Sequence, residues 1–274
     1  MSVKSILVHA EPGDRCEARL ACAADLARRF DAILMGVGAQ QLQSAAVFDP
    51  FGMLAAEFHT ALAEQLQADL TSAEESFRRH AAGLKAEWRA VAETPTSAVA
   101  RTARGADLIV AGGAPLEMVD VFKSLDVAEL AITAGRPVLV APPEARSLKG
   151  EGVVVAWKDT REARRALADA LPFLKAAERV VVLEVCDADR VDAATLHTEE
   201  VVAHLGRHGV RATPMVLAAP DDQVVTELQA QAEAIEADLI VSGCYGHSRL
   251  KEWAFGGVTK DLLRRPERFV LLSH

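Results

Sequence analysis

GADLIVAGG at 105–113 returns as EADLIVSGC at 236–244, with Ala-Asp-Leu-Ile-Val identical in both copies and displaced by 131 positions. Working outward, GRPVLVAP at 135–142 is matched by ERFVLLSH at 267–274, displaced by 132, and SILVHA at 5–10 is matched by VVVAW at 153–157. An offset of 131 to 132 held over the fourth and fifth strands, with a matching first strand upstream, marks an internal duplication, so the halves are read as one kind of fold used twice. Ile6 precedes Leu108 by 102 positions and Val153 precedes Leu239 by 86, which places 16 extra residues in the first half. The stretch QQLQSAAVFDPFGMLAAEFHT (40–60) lacks clear periodicity and is where that insertion is expected.

Each half alternates short Val/Ile/Leu runs with amphipathic segments, the pattern of a parallel sheet covered on both faces. The runs are SILVHA, DAILMGVGA (31–39), KAEWRAVAE (85–93), ADLIVAGG and RPVLVAP, then GVVVAW (152–157), RVVVLEV (179–185), RATPMVLAA (211–219), ADLIVSG and RFVLLS. In REARRALADALPFLKAA (161–177) Ala166, Leu167, Ala170, Leu171 and Leu174 recur at helical spacing, with Pro172 bending or ending the helix. PPEARSLKGEG (142–152) reads as the link. The expected division is a degenerate unit over 1–143, a linker over 144–151 and a second unit over 152–274. The fold class is α/β, two tandem five-stranded parallel-sheet units.

The 274 residues carry 30 Lys+Arg against 39 Asp+Glu, a formal charge of −9, which argues against nucleic-acid or anionic-membrane partners because steering would run the wrong way. Half the residues are hydrophobic but only 5% aromatic, so the core is built from Ala, Leu and Val. No run approaches a membrane span and MSVKSILVHAEPG lacks a cleavable leader pattern. The scattered Cys16, Cys22, Cys186 and Cys244 show no metal-ligand spacing, and a cytoplasmic chain with free thiols is expected.

SGCYGHSRLKEWAFGGVTKDLL (242–263) is the richest segment for chemistry. Gly243, Gly246, Gly256 and Gly257 fall between a strand end and a helix expected to begin near Val258. Glycines there let backbone N–H groups approach an anion, and a helix N-terminus adds its dipole. Arg249, Lys251 and the Thr259 hydroxyl are further groups for phosphate oxygens. Plain backbone geometry explains strand-to-helix glycines equally simply. His204 and His208 lack a third metal ligand and read as a solvated helix face; His247-Ser248 lacks an orienting acid. Cys244 is either a reactive thiol beside the anion site or inert packing, and Trp157 and Trp253 are either core or crevice wall.

Two such units in tandem, each with a D-L-I-V-x-G fourth strand, the second followed by Gly243-x-x-Gly246, nine residues and Gly256, resemble a tandem universal stress protein. The resemblance implies that the units are Rossmann-like and form a pseudo-dimer through paired final strands, Val138-Leu139-Val140 beside Val270-Leu271-Leu272. It also implies binding of ATP or a related adenine nucleotide, with adenine near the ends of the first and second strands and phosphates at the glycines; it does not say whether Mg2+ takes part. Carried onto this chain, the phosphate side is Ser242, Gly243, Gly246, Arg249, Gly256, Gly257, Val258 and Thr259, and the base end is Trp157, Lys158 and Val185. Gly257 stands where nucleotide binders have Ser or Thr, and Lys158 where they have Asp, with Asp159 next. The first half has Ala114, Pro115, Leu116 and Leu125 around its turn, and Glu11 near the adenine-facing acidic position, so it is expected to act as an internal partner. A further homodimer is compatible with this reading. The rival from another class is a nucleotide-free interaction protein acting through its surfaces.

Overall fold

The computed structural model describes residues 2–42, 56–112, 122–244, 257–264 and 266–274. The first half supplies β1 (Ser5–Ala10), β2 (Ile33–Ala39), β3 (Ala86–Val91), β4 (Leu108–Gly112) and β5 (Val138–Ala141). The second supplies β6 (Gly152–Ala156), β7 (Arg179–Cys186), β8 (Ala212–Ala218), β9 (Leu239–Gly243) and β10 (Phe269–Ser273). All ten join one sheet in the order β3-β2-β1-β4-β5-β10-β9-β6-β7-β8. Every neighbouring pair is parallel except β5 with β10.

The duplication is visible in the register. Ile6 faces Leu108 and Val153 faces Leu239; Ile109 faces Val138 and Ile240 faces Val270. The antiparallel seam sets Val138, Leu139 and Val140 against Leu272, Leu271 and Val270, the pairing that the family resemblance implies. All six are at most 1% exposed, so two apolar strand edges that would template aggregation are consumed by each other.

Helices cover both faces. On one lie α1 (Asp14–Phe30), α2 (Ala56–His80), α5 (Arg161–Leu174) and α6 (Val191–Arg207); on the other α3 (Pro95–Thr102), α4 (Val127–Thr133), α7 (Val224–Ala234) and α8 (Gly257–Arg264). Alternation along the strands decides which face each residue serves: Val153 and Val155 pack towards α5, Val154 towards α7. Helix α5 starts because the Thr160 hydroxyl accepts from Ala163 N at 3.2 Å. Its Ala166, Leu167, Ala170, Leu171 and Leu174 are all buried, and Pro172 sits in the last turn, so the helix ends two residues after it. The non-periodic stretch 40–60 ends in helix: its last five residues open α2, and residues 43–55 lie outside the described residues.

The repeated Asp-Leu-Ile-Val has a structural cause. The Asp107 carboxylate accepts from Lys4 N at 2.8 Å, Ser5 N at 3.0 Å and the Ser5 hydroxyl at 3.1 Å, clamping the chain as it enters β1. Asp238 does the same for the entry to β6, accepting from Gly150 N at 2.9 Å. Charge-assisted bonds to backbone N–H groups contribute more than neutral ones. Asp107→Ala should therefore cost about 2 kcal/mol, read as a lower denaturant midpoint at unchanged slope; an unchanged midpoint would show that the clamp contributes nothing.

Candidate functional site

In an open parallel sheet the ligand crevice lies beyond the carboxyl ends of the strands where the order reverses. This sheet has two such points, between β1 and β4 and between β6 and β9.

At the second point, Trp157 follows β6, Lys158 comes next and is exposed, Val185 is half-buried on β7, and Ser242 and Gly243 end β9. Ser242 lies opposite Ala156, and Trp157 N extends the pairing to Leu183 O at 2.8 Å. Three neighbouring strand ends thus bring these residues to one rim. They divide between faces, however: Trp157 packs with Val155 and Ala163, Val185 with the α7 side. Trp157 Nε1 is buried and has no hydrogen-bond partner among the described residues. Gly257 opens α8, where the helix was expected to begin near Val258, and Thr259 in its first turn is buried. Gly246, Arg249 and Gly256 lie outside the described residues, as do His247, Ser248, Lys251 and Trp253; the Val258 side chain is likewise undescribed.

Gly243 has a reason of its own to be glycine. A Cβ there would stand 2.5 Å from Ala163 N and 2.6 Å from the Glu162 carbonyl carbon, so the first turn of α5 occupies the space a side chain would need. Cys244 is fully buried; its thiol donates to the Ser273 carbonyl at 3.3 Å, and burial pushes its pKa up to about 12. The thiolate reading is thereby corrected to a packed, neutral thiol. His204 and His208 are exposed with ring centroids 4.8 Å apart, and among the described residues no group of three His, Cys, Asp or Glu side chains is placed to hold a metal ion.

The first switch point looks different. Ala10, Ala39, Gly112 and Ala141, the last residues of β1, β2, β4 and β5, line a cavity of about 650 Å3. Arg19 of α1 reaches into it: Nε donates to the His9 carbonyl at 3.1 Å and Nη2 to Glu11 Oε1 at 3.0 Å. Glu11, read from sequence as an isolated carboxylate, is half of an ion pair whose guanidinium side chain is 7% exposed. His9, fully buried, donates from Nε2 to the Ala39 carbonyl at 3.2 Å, which leaves Nδ1 without a partner and 3.7 Å from Glu11 Oε2. Burial is the main reason its pKa falls to about 4; Arg19 adds to the fall, while Glu11 and the Ala39 bond oppose it. The imidazole is neutral at pH 7. Sequence reading passed over Arg19 although a signal was present, since it shares the apolar stripe of α1 with Cys16, Ala23 and Leu26, an unusual place for a cation.

A second buried polar pair went unread. Glu184 on β7 and His197 on α6 approach to 3.8 Å between Oε2 and Nδ1, each atom lacking a hydrogen bond. Burial raises the Glu184 pKa above the ordinary carboxylate value.

No family model matches the chain, and no curated protein is significantly similar to it. Among solved structures, a universal stress protein from Archaeoglobus fulgidus DSM 4304 superposes with a TM-score of 0.73 at 16% identity, covering 99% of this chain and 96% of that one. A functionally unknown protein from Pseudomonas aeruginosa PAO1 has a TM-score of 0.58 at 17% identity, covering 99% and 92%. A candidate universal stress protein from Pseudomonas aeruginosa UCBPP-PA14 has a TM-score of 0.58 at 18% identity, covering 99% and 93%. With both halves in one sheet, two reversal points and an antiparallel seam between the final strands, the chain has the tandem α/β fold of the universal stress proteins.

Proposed function

We propose that this is a stress-response protein of the universal stress type, built from units 1–143 and 152–274 joined by 144–151, and that its second half binds ATP or a related adenine nucleotide. The observation that carries the reading is the placement of the glycine segment. It leaves β9 at Gly243 and enters α8 at Gly257, so the spacing Gly243-x-x-Gly246, nine residues, Gly256 spans a strand end and a helix N-terminus at a switch point. Backbone N–H groups of Gly256, Gly257 and Val258 with the Thr259 hydroxyl and Arg249 would meet the phosphates. At the base end, the buried Trp157 Nε1, without a partner among the described residues, would meet an acceptor on the α5 face, with Lys158 exposed at the rim and Val185 on the other face.

Titration calorimetry with ATP should give one nucleotide per chain, and Gly256→Asp should abolish the heat by placing a carboxylate at the anion site. Equal affinity for the two proteins would refute the location. The competing reading, an interaction protein without nucleotide, draws on the α5 backbone packed against Gly243 and on Gly257 and Lys158 in place of the usual hydroxyl and carboxylate. No heat with ATP, together with no nucleotide released on denaturing freshly purified protein, would favour it.

A further inference from the structure

Gly112 and Gly243 hold the same position in the repeat, each the last residue of its fourth strand. In the second half the space above that glycine is closed by the backbone of α5. In the first half, among the described residues, the nearest atoms to a Cβ at Gly112 would all be those of the Arg19 side chain, led by Nη1 at 2.5 Å, and both residues line the 650 Å3 cavity, a volume suited to a metabolite-sized molecule. The duplication has been kept in the strands and undone at the crevice.

We propose that the first-half crevice binds a small organic monocarboxylate, its carboxylate docked on Arg19 with Lys123 at the rim. The guanidinium is held in place before any ligand arrives, Nε donating to the His9 carbonyl and Nη2 to Glu11, so the Nη1 end over Gly112 is the part offered to a carboxylate. Leu70, Ala73, Leu125 and Pro142 form an apolar wall for the body of the molecule. The charge of the lining selects against larger anions: Arg19 and Lys123 face Glu11, Asp14 and Asp69, so the described lining has one more negative than positive group. A triphosphate would be repelled several times more strongly than a single carboxylate, whose one charge is met directly by Arg19 and Lys123. An amine at the far end of the ligand would match Asp14 and Asp69. The site is independent of the nucleotide reading for the second half, and neither failure entails the other.

Calorimetry on the full chain tests this with hexanoate and 4-aminobutyrate as probes and hexanamide as the uncharged control. At least one carboxylate should saturate with one molecule per chain, and hexanamide should give no saturable heat. Arg19→Met, which keeps the apolar stem and removes the charge, should weaken binding roughly tenfold or more, about 1.4 kcal/mol. Because that change leaves Glu11 without its guanidinium, Leu125→Trp provides a second route: it fills the apolar wall with the ion pair intact and should also abolish binding. Neither change should alter ATP binding. Absence of saturation by both carboxylates at millimolar concentration, equal binding of hexanamide, or full affinity in folded Leu125→Trp would overturn the proposal.

Discussion

Lowering the pH from above 6.5 to about 4 should cost the wild-type protein about 3 kcal/mol more stability than it costs His9→Gln. The unfolded chain takes up a proton on His9 near 6.5, whereas the folded protein refuses it until about 4, chiefly because the ring is fully buried. Between those values the unfolded state binds more protons, so stability rises with pH. The contribution is complete above 6.5 and is lost as the pH falls through the window. Glutamine keeps a donor for the Ala39 carbonyl but does not titrate, which isolates the imidazole from other groups that lose stability in acid, such as Glu17, whose pKa is lowered first of all by its bond to His80. Denaturant titrations of both proteins across this range give the comparison. Parallel curves would mean that His9 protonates in the folded protein as readily as in water.

Gly243→Ala should cost about 3 kcal/mol, near the upper end for overpacking, whereas Gly112→Ala at the equivalent position should cost about 1 kcal/mol. The chemical change is identical and only the neighbour differs. At Gly243 the new methyl meets Ala163 N and the Glu162 carbonyl carbon, which belong to a helix pinned by nine buried residues and by the Thr160 cap, so the first turn of α5 must move. At Gly112 it meets the end of a long side chain that can withdraw into the cavity. Thermal or denaturant unfolding of the two variants decides this, and equal losses would show that Arg19 is as rigidly held as backbone. The result also bears on ligand work. Loss of nucleotide binding in a Gly243 variant would report the displacement of α5 as much as any contact with phosphate, and Gly256 is the better probe.

The strands and the likeness of the two halves were legible in the amino-acid sequence because they depend on local apolar runs and on the duplication; the strand order within each half was not. Unbroken runs of Val, Ile and Leu mark strands buried on both faces, and the offset of 131 to 132 positions over the fourth and fifth strands marks the duplication that the register repeats, Ile6 opposite Leu108 and Val153 opposite Leu239. The seam came by family resemblance, and its physical reason is that two apolar edge strands each cover the other. The glycine segment was legible as a strand-to-helix turn, and its chemistry came only by resemblance.

What tertiary structure alone decided is how each crevice is filled. The two fourth strands end in the same glycine, and nothing within several residues of either says that one would face a helix backbone and the other an arginine from a different element. The repeated aspartate reads as part of a motif, yet its partners are backbone N–H groups at Lys4 and Ser5 in the first half and Gly150 in the second. Trp157 and Val185 read as neighbours at one end of a site, and the pleat sends them to opposite faces. Sequence pattern specifies which residues must leave water; where the remaining polar groups find partners depends on contacts between segments about a hundred positions apart, and those exist only once the helices have packed.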